Sequence, residues 1–190
     1  MLKNGISLLL ALAILFIAAA YPNAQGSSRP AAPTFTSLYT DLNKECKAAF
    51  KESELNPGSD MPLRCKGYGG YHIYIYYSAW AAHVTIRENK SDDVSFFLAT
   101  QALAYSDEKG RKIEWRMADG VPFAVILRVS NYDDTRATNA DNPLQDQYKT
   151  GETLIIKGLK GYEHIEGSID AKTPEANARA RQLADEKYRK

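Results

Sequence analysis

The sequence predicts an α+β fold, mainly an antiparallel sheet or partly open barrel with a C-terminal helix and one disulfide. Three observations carry that expectation: several short runs of β-branched and aromatic residues separated by glycine-bearing turns, a single helical pattern at the end of the chain, and two cysteines. In the 190 residues, 44% are hydrophobic and 25% charged, the balance of a folded domain rather than of a disordered, collagenous or coiled-coil chain. Lys and Arg total 24 against 23 Asp and Glu. No global field therefore draws the protein toward nucleic acid.

The first segment sets the expected address. Lys3 precedes the uncharged run Ile6 to Ala20, which ends in small residues and is broken by Tyr21-Pro22-Asn23. This layout reads as a signal peptide over residues 1–20, because the run falls short of the roughly 20 apolar residues that span a bilayer. Ala18-x-Ala20 fits the cleavage rule, and a site near Ala24 to Gly26 is an alternative. Residues 21–34, small, polar and proline-bearing, read as a flexible leader, and residues 35–190 as a single globular domain. The expected location is periplasmic or secreted, with no stable membrane insertion after cleavage.

Thr36 to Leu42 suits a strand. Cys46 and Cys65, the only cysteines, are expected to pair in an oxidising compartment. The turn signal Asn56-Pro57-Gly58 lies midway between them, so they can face each other across a hairpin; Leu42, Cys46, Ala49 and Phe50 also fit one face of a short helix, and either arrangement can hold the bridge. A redox pair would favour CxxC spacing, which is absent.

Gly67-Tyr68-Gly69-Gly70 marks a bend, and Tyr71 to Tyr77 follows as a strand with its odd positions toward the core. Ala82, Val84 and Ile86 give the matching face of Ala81 to Arg87, in a hairpin or as one long bent strand. Val94 to Ala104 fits a buried strand and loop or a helical turn, since a short apolar run does not separate the two by period, and strand is the preferred reading. Ile113 to Met117, the turn Ala118-Asp119-Gly120, and Pro122 to Ser130 make the clearest hairpin, and Leu154 to Lys157 with Tyr162 to Ile169 a second one. Asn131 to Gly151 reads as a long polar loop. Thr173 is the expected N-cap of the last helix, with Pro174 at its first position and Ala176, Ala180, Leu183, Ala184 and Tyr188 as its apolar stripe.

Few residues in the chain stand in a pattern that chemistry requires. No GxSxG, HExxH or phosphate-cradling glycine loop occurs. His72, His83 and His164 are the only histidines, and the first two are expected on the outer sheet face beside Tyr74 and Tyr76. Two imidazoles do not complete a zinc site. Asp133, Asp134, Asp141 and Asp146 lack the spacing of a calcium loop and read as a solvated segment. Glu114 and Glu166 read as charges guarding edge strands. The twelve tyrosines are the stronger signal, since Tyr serves both core and wet interface.

Arg64 to Tyr71 (RCKGYGGY), Glu114-Trp115-Arg116 and Pro122 to Arg128 (PFAVILR) together resemble small exported bacterial proteins of unassigned activity, over roughly residues 35–187. That resemblance implies compartment and fold and transfers no catalytic residue. Cys65, the Tyr-rich strand and Tyr105 to Arg111 also resemble the inhibitors of C-type lysozyme, small disulfide-bearing β-barrels. The expected function is a non-enzymatic binding or interaction module of the bacterial envelope, binding a protein or envelope component through Tyr74, Tyr76, His72 and His83, with no cofactor and no metal. The alternatives are an inhibitor of a cell-wall hydrolase and a hydrolase that uses His72 or His83.

Overall fold

In the computed structural model, residues 31–78, 81–88, 96–97, 103–104, 112–137, 139–141 and 144–189 are described. The expected signal peptide, most of the leader and the Tyr105 to Arg111 stretch lie outside them. Among the described residues no helix is long and apolar enough to cross a membrane.

The strands are β1 (Phe35–Asp41), β2 (Cys46–Ala48), β3 (Leu63–Lys66), β4 (Tyr71–Ser78), β5 (Ala81–Glu88), β6 (Phe96–Phe97), β7 (Leu103–Ala104), β8 (Lys112–Ala118), β9 (Val121–Tyr132), β10 (Lys149–Gly158) and β11 (Glu166–Asp170). Among the described residues the α-helices are a single turn, α1 (Asp134–Ala137), and the C-terminal α2 (Ala176–Tyr188), with short 3-10 turns at Glu52–Glu54 and Asp146–Tyr148. Two open antiparallel sheets result, a five-stranded one ordered β1-β8-β9-β10-β11 and a six-stranded one ordered β2-β3-β4-β5-β6, with β7 also on β5. Neither sheet closes into a barrel.

Alternation explains how the layers stack. On the five-stranded sheet, Ile113, Trp115, Met117, Val125, Leu127 and Val129 face the second sheet, where Cys65, Tyr71, Ile73, Ile75, Ala82, Val84 and Ile86 meet them in one buried cluster. On its other side Ala124, Ile126, Leu154 and Ile156 pack with Phe123 and Ile165 against Ala176, Ala180 and Ala184 of α2. The five-stranded sheet is thus the middle layer, apolar on both faces. Its neighbours each need only one apolar face, which is why β4 and α2 alternate in polarity and β9 does not.

The two expected hairpins form, the second with Lys157 opposite Glu166, so that its return strand β11 starts at Glu166 rather than at Tyr162. Ala118 pairs with Val121 around Asp119-Gly120, both at positive φ (48° and 83°), the tight turn whose twist matches that of the strands it joins. β4 and β5 pair as a hairpin, with Ile73 opposite Ile86. They are not one bent strand. Gly69, at φ 62°, lies where an added Cβ would meet the Pro122 ring, so the bend before β4 can press against β9 only with glycine there.

Four expectations are corrected. Cys46 pairs in register with Cys65 on β3, bridged by the disulfide, and the stretch before it is a turn in which Lys44 and Glu45 both donate to the Asp41 carbonyl; the short-helix alternative is overturned because pairing with β3 satisfies this backbone. Thr173 is not the N-cap. It closes a turn to the Ala176 amide, Glu175 takes the left-handed conformation (φ 58°), and the helix starts at Ala176, where the chain first lies flat on the sheet. Asn131 to Gly151 is shortened from both ends by β9 and β10 and carries α1, with Ala137 buried and Arg136 donating to the Gln147 carbonyl. Glu114 guards no edge, because β8 lies between β1 and β9; Glu166, on the edge strand β11, does, and pairs with Lys157.

Glu114 belongs instead to a polar network under α2. Arg116, 5% exposed, donates to both carboxylate oxygens of Asp185 (Nη2 at 2.8 and 2.6 Å) and to Ser37 Oγ, which donates to Glu114. Arg181 completes the network by donating from Nε to Glu114 at 2.6 Å, a bond that holds its guanidinium pKa above the ordinary value. Such a network is stable only when each charge keeps its partner.

Two measurements check these assignments. Asp185→Ala, which strands the Arg116 charge, is expected to cost about 3 kcal/mol in urea unfolding, while the joint Arg116→Met/Asp185→Leu change recovers most of it. Reduction, or Cys46→Ser with Cys65→Ser, is expected to lower stability by about 3 kcal/mol without changing the sheet content read by circular dichroism.

Candidate functional site

The second sheet has one face against the core and one turned outward, and strand parity sorts the residues between them. Ile73, Ile75, Val84 and Ile86 are buried. The alternate positions His72, Tyr74 and Tyr76 on β4 and His83, Thr85 and Arg87 on β5 share the outer face, paired His72 with Arg87, Tyr74 with Thr85 and Tyr76 with His83. The four binding residues expected from the sequence therefore do lie on one face. They are not equally close. His72 and His83 occupy register rows four residues apart, roughly 13 Å along the strand, so the two imidazoles do not converge on one reacting atom.

The tyrosines do converge. The Tyr74 and Tyr76 rings stack at 6.4 Å with an interplanar angle of 18°. The Arg87 guanidinium lies over both, 5.1 Å from the Tyr74 ring centre and 5.4 Å from that of Tyr76. A long side chain that would otherwise sample many rotamers is thereby held in place by ring quadrupoles. Both tyrosines and Arg87 are half-buried. Beneath them Tyr71 is buried, and that burial, with Glu88 nearby, pushes its phenol pKa up and keeps it a neutral core group.

β3 extends this surface with charge. Arg64 pairs with Tyr74 and Lys66 with His72, while Lys47 on β2 pairs with Arg64. A groove of about 530 Å³ opens there, lined by Lys44, Glu45, Cys46, Lys47, Arg64, Cys65, Lys66 and His72. Both cysteines lie in this lining, although Cys65 is 1% exposed and its side chain packs into the core. Lys66 is itself braced, its Nζ standing 5.5 Å from the Tyr68 ring centre. Reasoning along the sequence missed these cations. Arg64 and Lys66 carry the available signal, since they alternate with Leu63 and Cys65, but only strand pairing puts them beside Tyr74 and His72.

The remaining sequence candidates lie elsewhere. Glu114 and Glu166 stand on strands separated by β9 and β10, and Asp133 Oδ1 accepts from the Arg136 amide. Among the described residues no three His, Cys, Asp or Glu side chains gather as a metal site would require. The chain matches no protein family, no curated protein and no solved structure.

If the outer face is a surface rather than a support, substitutions on the two sides of β5 should differ sharply. Ile86→Ala is expected to cost about 3 kcal/mol in denaturant unfolding, and Arg87→Ala less than about 1 kcal/mol.

Proposed function

We propose that this protein is an exported, non-enzymatic binding module of the bacterial envelope, and that it contacts its partner through the outer face of the second sheet. The observation that carries the reading is the Arg87 guanidinium lying across the stacked Tyr74 and Tyr76 rings. Tyrosine and arginine are the side chains most enriched in binding hot spots, because they combine large contact area with directed polar groups. Here they are ordered by one another before any partner arrives, which lowers the entropy lost on association. The apolar run at Ile6 to Ala20, ending in small residues, supports the exported address.

Immobilised full-length protein is expected to retain a partner from envelope extract, and a folded Tyr74→Ala/Tyr76→Ala variant to lose it. Retention of the same partner by that variant, with circular dichroism unchanged, removes this face from the function.

A further inference from the structure

We infer that the groove beside the tyrosines is a site for a linear phosphodiester polymer without bases, of the polyol phosphate kind. The inference rests on the proposed binding face and names the chemistry of its ligand.

The charge distribution is the first argument. Over the whole chain the formal net charge is only +1, yet Lys47, Arg64, Lys66 and Arg87 gather on one sheet face. Other cations among the described residues stand in ion pairs: Lys44 with Asp41, Arg116 with Asp185, Arg128 and Lys149 with Glu152, Lys157 with Glu166, Lys160 with Glu88 and Arg181 with Glu114. None of the ion pairs among the described residues uses Lys47, Arg64, Lys66 or Arg87. Glu45 is the one acid lining the groove.

Unspent hydrogen-bonding capacity is the second. Arg64 Nε, Thr85 Oγ1 and Arg87 Nε are buried atoms with no hydrogen-bond partner among the described residues. All three belong to the outer-face positions of β3 and β5. A buried donor without a partner is costly; Arg64 lines the groove itself, where an acceptor would complete its Nε, while Thr85, 3% exposed, and Arg87 lie across β4 from it.

Spacing and access select the ligand. Neighbouring strands stand about 4.8 Å apart and same-face residues about 6.8 Å apart along a strand, so Lys47, Arg64 and Lys66 form steps of about 5–7 Å, with Arg87 about 10 Å from Lys66 across β4. A lattice of this kind suits an anion that recurs along a chain better than one compact anion. The guanidinium forks of Arg64 and Arg87 match phosphate oxygens, and the lysines add point charges. Single-stranded nucleic acid would also offer recurring phosphates, but its affinity depends on stacking bases upon open aromatic faces, and Arg87 already covers Tyr74 and Tyr76. A polymer with charge and no rings asks only for what this face presents.

Isothermal titration of the full chain with a synthetic glycerol phosphate octamer tests the proposal. Glycerol phosphate monomer and an oligothymidylate of equal phosphate number serve as comparisons. The octamer is expected to bind at low salt much more tightly than the monomer and no less tightly than the oligothymidylate. Its log affinity should fall against log salt with a slope near −3, at roughly −0.7 per phosphate for four contacts. Arg64→Gln/Lys66→Gln is expected to weaken binding about tenfold or more. Lys47→Gln and Arg87→Gln, on other strands, should each weaken it too and keep the test open if the double variant does not fold. Absence of octamer binding, affinity unchanged in the folded variants, or tighter binding of oligothymidylate would overturn the inference. If octamer fails while the Tyr74→Ala/Tyr76→Ala variant still loses its envelope partner, the polymer is wrong and the binding face stands.

Discussion

The constraint on which the structure depends is that its five-stranded sheet is apolar on both faces. Trp115, Val125 and Leu127 point one way and Ala124, Ile126 and Ile156 the other, so the sheet is stable only when covered twice. The second sheet covers one side and α2 the other. Trp115 joins the first pair of layers by hydrogen bonding as well as by area: its indole Nε1 donates to Thr40 Oγ1 at 3.0 Å, and that hydroxyl donates to the Lys66 carbonyl at 2.9 Å. Thr40 and Trp115 are fully buried, so the chain of donors runs through the core and anchors the end of β3 from below. The outward cations of β3 therefore stand on a fixed base.

The helix side follows another logic. The buried Ala176, Ala180 and Ala184 let α2 approach the sheet closely, and Leu183 and Tyr188 add apolar area, Tyr188 among the rings of Phe35, Phe123 and Tyr162. Charge is added to that area. Arg116 and Glu114 rise from β8 and meet Asp185 and Arg181 from the helix, with Ser37 between them. Two carboxylates and two guanidiniums alternate, so each is surrounded by opposite charge and the desolvation that would expel any one of them is offset. The network orients α2 along the middle of its length, and the Tyr188 ring does so at its C-terminal end.

The outward face of the second sheet is built differently from these two buried layers. There the cations are held by rings rather than by carboxylates: Arg87 over Tyr74 and Tyr76, and Lys66 near Tyr68. A ring orders a cation without neutralising it. The field at the groove consequently survives in a chain whose charges otherwise nearly cancel.

Much of this was legible from residues alone. Asp119-Gly120 declared its turn because few backbone conformations suit that pair, the parity of Tyr71 to Tyr77 told core from surface, and the stripe of α2 was visible because a helix repeats at a fixed period. Each of these depends on interactions within a few residues. The place of Glu114 did not show, since whether a strand is central or at an edge is settled by which strands pair, over separations such as the 77 residues between Ser37 and Glu114. Nor did the start of α2, where docking of Ala176 overrode the local preference for Thr173 as a cap. The candidate site divides in the same way: Tyr74, Tyr76, His72 and His83 follow from alternation along two strands, whereas their union with Lys47, Arg64 and Lys66 was decided by the register of β2, β3 and β4. Local order is written in short-range sterics and periodicity. Juxtaposition comes from burying the faces of distant strands together, which no stretch of sequence specifies by itself.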